Sequence, residues 1–180
     1  MKKPQKVDKL AQQNIDRLCA DVGFSIPQVD LDKSKQENVI QKALGVLSHD
    51  GVFAYLVWIE SKSGEIRWNG NKRTFTRLDD DEKSNRYILL KSIALLNNVI
   101  QLSPSVLKDL QDKEFEKKVF NGDVEKNPDG AWDQIRDKFR QELTKPNGIL
   151  EDIHQMFLVK QLFERMLTYA LYRAKSLPKK

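Results

Sequence analysis

The sequence is poor in the residues that build cross-linked, metal-bound or segmented proteins. One cysteine, Cys19, in 180 residues excludes an internal disulfide framework. Its place among apolar helical positions reads as a small buried thiol, which predicts a reducing, intracellular setting. The two histidines, His49 and His154, stand outside any spacing that binds a metal and read as surface or capping residues. Glycine and proline number only 8 and 6, with no stretch rich enough to split the chain, no internal repeat and no low-complexity tract. The longest unbroken apolar run, 52–59, falls far short of the roughly 20 residues that cross a bilayer. The opening Met1-Lys2-Lys3-Pro4 leads into no apolar signal core. We therefore expect a cytoplasmic protein with no membrane contact. No phosphate-binding Gly-x-x-x-x-Gly-Lys loop, dinucleotide Gly-x-Gly-x-x-Gly turn or Gly-x-Ser-x-Gly nucleophile elbow occurs, so catalysis has no sequence handle. The expectation is a protein that is not an enzyme, with no cofactor and no metal.

Charged residues make up 32% and apolar residues 39%, with a net charge of +5 and a pI near 9.2. Both signs are interspersed and the apolar positions are periodic, which argues for a folded chain. The length fits one domain, 1–180, with ends fraying near 1–5 and 178–180. The basic excess is compatible with a nucleic-acid partner, although many solvated helical surfaces reach it.

Val7, Leu10, Ala11, Ile15, Leu18, Cys19 and Val22 recur at helical steps, predicting a helix over 6–22 that stops at Gly23. Residues 24–32 form a connector whose Phe24, Ile26 and Val29 can pack on the core. Ser34-Lys35-Gln36-Glu37 has capping-box spacing ahead of Val39, Ile40, Ala43, Leu44 and Leu47, so Ser34 is the expected N-cap of a helix closing near Gly51. The run 52–59 is apolar on every side, and periodicity leaves it open between helix and strand; the balance of the sequence favours a helix. Residues 65–76 alternate around Asn69-Gly70, predicting a short β-hairpin that projects from a helical body. If 52–59 paired with it, a three-stranded meander would result. An apolar stripe over 81–102 follows the acids 79–82, which suit a helix N-terminus and lack the spacing of a calcium loop. Further helices are expected over 103–121, around Trp132, Ile135, Phe139 and Leu143, and over 149–176. In the last, Ile153, Met156, Phe157, Leu162, Phe163, Met166, Tyr169, Ala170, Ala174 and Leu177 form the apolar face. The fold class is thus mainly α, a helical bundle with a short hairpin insert near 65–76.

Two basic surfaces stand out. The first, 62–77, sets Lys62, Arg67, Lys72, Arg73 and Arg77 against the single acid Glu65, with Trp68 and Phe75 interleaved. Cations neutralise phosphates and flat rings stack bases, so this pattern fits nucleic acid. It equally fits a polar hairpin whose rings face the core and whose cations protect its edges. The second lies on the last helix, where Lys160, Gln161, Glu164, Arg165, Thr168, Tyr172 and Lys175 share one stripe, with Arg173 beside it. An ordinary solvated face is the competing account. The candidate RNA-binding residues are Lys62, Arg67, Lys72, Arg73, Lys160, Arg165, Arg173 and Lys175.

A family likeness rests on two segments. An apolar helix over 39–51 ends in a glycine turn and leads into Gly51-Val52-Phe53-Ala54-Tyr55-Leu56-Val57-Trp58-Ile59-Glu60-Ser61-Lys62, which closes on Ser-Lys. The closing stretch Leu167-Thr168-Tyr169-Ala170-Leu171-Tyr172-Arg173-Ala174-Lys175 mixes apolar, aromatic and basic residues. In these the chain resembles the small, all-helical subunit of type III CRISPR effector complexes, of the Cmr type. The hairpin-like insert 64–77 and the loop 121–130 exceed that family's compact pattern. The resemblance implies a non-catalytic bundle that stacks in several copies beside guide RNA and target RNA, together with other effector backbone subunits. It carries Lys62, Arg173 and Lys175 over as backbone contacts. Competing expectations are a helical protein–protein adaptor and, further off, a β-containing enzyme with a pocket at Trp58 and Trp68 and carboxylates at 79–82.

Overall fold

The apolar periods become five helices and one short ladder among the described residues, which in this computed structural model are 14–64, 67–69, 72–74, 78–100, 130–146 and 148–178. Helix α1 is Ile15–Phe24, α2 is Lys33–Lys62, α3 is Asp80–Ile100, α4 is Gly130–Thr144 and α5 is Ile153–Ser176. Strands β1 (Arg67–Asn69) and β2 (Lys72–Thr74) pair antiparallel, with Trp68 opposite Arg73. The molecule is mainly helical. The helix expected over 103–121, and residues 1–13, lie outside the described residues.

Helix α2 is two helices in sequence. Gly51 has φ 84° and ψ −174°, a conformation that glycine reaches freely and that costs other residues about 1–3 kcal/mol. The chain doubles back there. Val39 and Lys42 from the first arm line one cleft with Trp58 and Lys62 from the second, whereas an unbroken helix would put Val39 and Lys62 roughly 35 Å apart at ~1.5 Å per residue. Residues 52–59, left open by periodicity, are therefore a helical return arm. Reversal buries Val39, Leu47, Val52 and Leu56, and each such side chain is worth about 1.5–3 kcal/mol removed from water. The burial outweighs the turn.

Caps fall where side chains can reach free backbone N–H groups. Asp32, not Ser34, caps α2: its carboxylate accepts from Lys35 N at 2.8 Å. The expected Ser34–Glu37 box does not form because the helix already starts at Lys33 and Ser34 lies inside it; Gln36 turns to the connector, where its amide accepts from Gln28 N at 2.7 Å and donates to Gln28 O at 2.8 Å. The reciprocal box appears at α3, where Glu82 N donates to Asp79 Oδ1 at 2.8 Å and Asp79 N to Glu82 Oε2 at 3.0 Å. Gly23 does not stop α1. It is buried within the helix, where an added Cβ would overlap Met166 O and stand 2.9 Å from Tyr169 Cβ. Its smallness lets α1 cross α5 closely. In the connector Ile26 is buried, while Phe24 and Val29 are 47% and 67% exposed.

One continuous core draws side chains from all five helices. Phe163 of α5 meets Tyr55 of α2 at 5.5 Å between ring centres, and the Tyr55 hydroxyl is shared with Ser92 of α3 at 2.9 Å. Burial pushes that phenol well above its ordinary pKa. Arg86 of α3 is buried: it donates to Ser63 O at 2.7 Å and lies over the Trp132 ring of α4 at 4.7 Å. Burial pulls its pKa down to about 10, opposed by Glu82 and Asp133, so it stays charged at neutral pH. The last helix begins at Ile153 rather than 149, because Asp152 caps it. Ile153 and Phe157, expected on its apolar face, are instead 59% and 57% exposed.

Two glycines of α2 should respond oppositely to alanine. Gly45 is helical with no atom within 4 Å of an added Cβ, so Gly45→Ala is expected to stabilise by about 0.5–1 kcal/mol. Gly51→Ala, also unobstructed but at positive φ, is expected to destabilise by about 1–3 kcal/mol. Urea unfolding of both variants checks this, and shifts of the same sign would contradict the reversal.

Candidate nucleic-acid interface

Helix ends decide where the candidate cations lie. The Lys33 amine, at the start of α2, donates to Lys175 O at 2.6 Å and to Leu177 O, closing the C-terminus of α5. Asp32 N, beside it, donates to Asp80 Oδ2 at 3.2 Å, which brings the start of α3 to the same place. The return arm ends there too, because Asn85 Nδ2 donates to Lys62 O at 3.3 Å. One pole of the bundle therefore gathers the start of α2, its end at Lys62, the start of α3 and the end of α5. Arg67, Lys72 and Arg73 stand on β1 and β2, between Lys62 and α3 in the chain.

Lys160 is not part of this pole. It donates to Ser48 O at 2.9 Å, near the reversal, and sits 3.8 Å from Glu164, which in turn accepts from Ser48 Oγ at 3.2 Å. Some 13 residues of helix, roughly 20 Å, separate it from Arg173. The upper part of the expected α5 stripe thus fastens α5 to α2. Arg165, exposed, lies between, on the side of α5 that α1 crosses near Cys19.

At the pole, Arg173 and Lys175 are exposed and occupy the last turn of α5, where cations also complement the helix dipole. Arg173 lines a shallow groove with Tyr172, Ser176 and Phe24. Tyr172 is 61% exposed, and Phe24 is held edge-on against Tyr169 at 5.7 Å. The Tyr169 hydroxyl donates to Asp16 at 2.8 Å, and that bond raises the phenol's pKa. Two exposed rings, a guanidinium and a hydroxyl on one groove can stack a base and neutralise a phosphate. Phe24, Lys33 and Ser176 escaped the sequence reading, because Phe24 belongs to a different helix and only the crossing at Gly23 brings it to α5.

Among the described residues no cluster of His, Cys, Asp or Glu is arranged to hold a metal ion, and no helix is long and apolar enough to cross a membrane. Neither a family model, nor a curated protein, nor a solved structure matches the chain.

The presentation of Arg173 and Lys175 depends on α5 being formed, and its cap titrates. Asp152 accepts from Gln155 N at 3.3 Å and His154 N at 2.8 Å, and these bonds hold its carboxyl below the ordinary 3.8. A folded pKa below the unfolded one contributes stability that is complete above the unfolded value and lost as pH falls through the folded value. Asp152→Ala is therefore expected to lower Tm at neutral pH, with the gap to wild type shrinking in strong acid. A gap independent of pH would contradict the cap's charge dependence.

Proposed function

We propose that this chain is a non-catalytic, cytoplasmic small subunit of an RNA-guided type III CRISPR effector complex, stacking with copies of itself and touching the guide and target RNA backbone electrostatically. The observation that carries the reading is the groove of Phe24, Tyr172, Arg173 and Ser176 at the pole where Lys62 and Lys175 also end. Arg173 and Lys175 supply charge without sequence preference, the rings accept any base, and base pairing between guide and target supplies specificity. Arg67, Lys72 and Arg73, on the ladder that follows Lys62 in the chain, add to the basic character of this segment. The family resemblance of the α2 arms and the end of α5 supports the assignment to this class of complex.

A second reading is favoured by a different observation. Phe53 and Val57 on the return arm and Ile153, Phe157 and Leu158 on the first turns of α5 are large apolar side chains 39–61% exposed. Such residues suit protein contacts. In the proposed role they meet neighbouring copies or effector backbone subunits; in an adaptor without RNA they would be the whole interface.

Reversal of Lys62, Arg173 and Lys175 to Glu is expected to leave the chain folded, since all three are exposed, at a cost of about 0.3–1 kcal/mol for each cation lost from the last turn of a helix, and to weaken co-purification with guide RNA. In direct binding to single-stranded RNA, loss of three phosphate contacts should flatten the salt dependence by about 2, at ~0.7 per phosphate. A folded triple variant that assembles and binds RNA with unchanged salt dependence would overturn the proposal. Partners retained after nuclease treatment, without guide RNA, would favour the adaptor.

A further inference from the structure

Helix α2 is broken at a single residue. Gly51 is the one position within Lys33–Lys62 whose φ and ψ are not helical, so no loop separates the two arms. Its φ of 84° with ψ of −174° lies in a region that is essentially glycine's alone. Returning that residue to helical dihedrals joins the arms into a rod of 30 residues, roughly 45 Å long at ~1.5 Å per residue. Every other residue of the rod already has the backbone it needs.

Nothing at the turn locks it. A Cβ built on Gly51 has no atom within 4 Å, and His49, Asp50 and Phe53 around it are exposed. What holds the reversal is the packing of both arms against the rest of the bundle, with the Lys160 amine on Ser48 O and the Ser48 hydroxyl on Glu164. None of these contacts requires the two arms to belong to one chain. A continuous helix gives Ser48 O the N–H of Val52, so losing the Lys160 amine leaves that carbonyl partnered.

A rod carries its first arm away from its own bundle and toward that of a second copy. We infer that α2 opens at Gly51 and that two copies exchange α1 and the first arm of α2, giving a twofold dimer with the core contacts of the monomer. The close crossing of Gly23 over Met166, and the burial of Val39, Ala43 and Leu47, then form between chains. The two rods pass each other at residue 51, so side chains just beyond it approach their symmetry mates. Phe53 and Val57 are the large apolar side chains left exposed there, while Val52, Tyr55 and Leu56 enter the bundle. Their burial is contact that the monomer lacks, and it offsets the entropy of association. With glycine at the turn the reversed form is unstrained, so dilute chains stay monomeric and concentration selects the exchange. The inference goes beyond the RNA reading and does not depend on it.

Gly51→Ala tests it, because alanine disfavours the reversed dihedrals and favours the helical ones. Together these shift the balance toward the rod by about tenfold or more per chain, or about a hundredfold in the dimerisation constant. Size-exclusion chromatography with light scattering is expected to show wild type as a monomer at micromolar concentration and Gly51→Ala as a dimer. Dipolar electron paramagnetic resonance between spin labels at Asn38→Cys and Ser61→Cys, both exposed, identifies the form. Labelled chains are diluted into unlabelled protein so that only distances within one chain are read, and Cys19 is buried. In the reversed chain Ser61 shares a cleft with Val39, the neighbour of Asn38, whereas along the rod the two sites stand roughly 35 Å apart at ~1.5 Å per residue. Adding Phe53→Asp should weaken the dimer. If alanine leaves too little folded protein, wild type refolded from urea at millimolar concentration serves instead, with the long distance expected in its dimer fraction. A folded Gly51→Ala chain that stays monomeric at millimolar concentration, a dimer that keeps the short distance, or refolded wild type without the long one would overturn the inference. The RNA proposal is read on Lys62, Arg173 and Lys175, so its failure is separable from failure of the exchange.

Discussion

The architecture depends on the chain reversing at Gly51. As a single rod α2 would extend roughly 45 Å at ~1.5 Å per residue, and its apolar positions would have no common core to enter. Folded back, its arms give α5 and α3 one seam, with Tyr55 meeting Phe163 on one side and Ser92 on the other. The reversal also fixes what happens at the far end. It returns Lys62 to the level of Val39 and brings the end of α2 beside its own start, next to the start of α3 and the end of α5.

That pole has two kinds of chemistry side by side. Toward α1 and α5 it is open, aromatic and cationic, suited to charge-driven contact that ignores sequence. Between the arms of α2 it is recessed and mixed in charge, with the Asn85 amide held in place by the backbone carbonyls of Asp81 and Lys62. Both are by-products of helix ends meeting. Lys33 closes the exposed carbonyls of α5, and Arg86 does the same for the end of α2 through Ser63 O and Gly64 O at 2.7 and 3.4 Å. Cations recruited to terminate helices thereby concentrate where Arg173 and Lys175 already stand.

Much of the helical content was legible, because periods of three and four place Val39, Ala43, Leu47 and Phe163, Met166, Ala170 on buried faces whatever the neighbours are. The helical state of 52–59 was not, since a run apolar on every face has no period and only the return packing settles it. Capping residues were partly misread for a tertiary reason: Asp32 is held by the Asp80 carboxylate of α3 and takes Lys35 N, so the helix starts at Lys33 and Ser34 lies inside it. For the candidate site, the sequence points to Arg173, Lys175 and Lys62 as separate surfaces. That they end at one pole follows from the reversal, and Phe24 joins them only through the close crossing at Gly23, neither of which spacing along the chain encodes.

The central claim is that this pole meets RNA. Ultraviolet cross-linking of the protein to the RNA it carries in its native host, followed by mass spectrometric mapping of the nucleotide-bearing peptides, addresses it most directly. The account predicts adducts on the aromatic residues of the pole, Phe24 and Tyr172. Adducts confined to the opposite end, around Phe53 and Phe157, or a protein recovered with no cross-linked RNA, would contradict it.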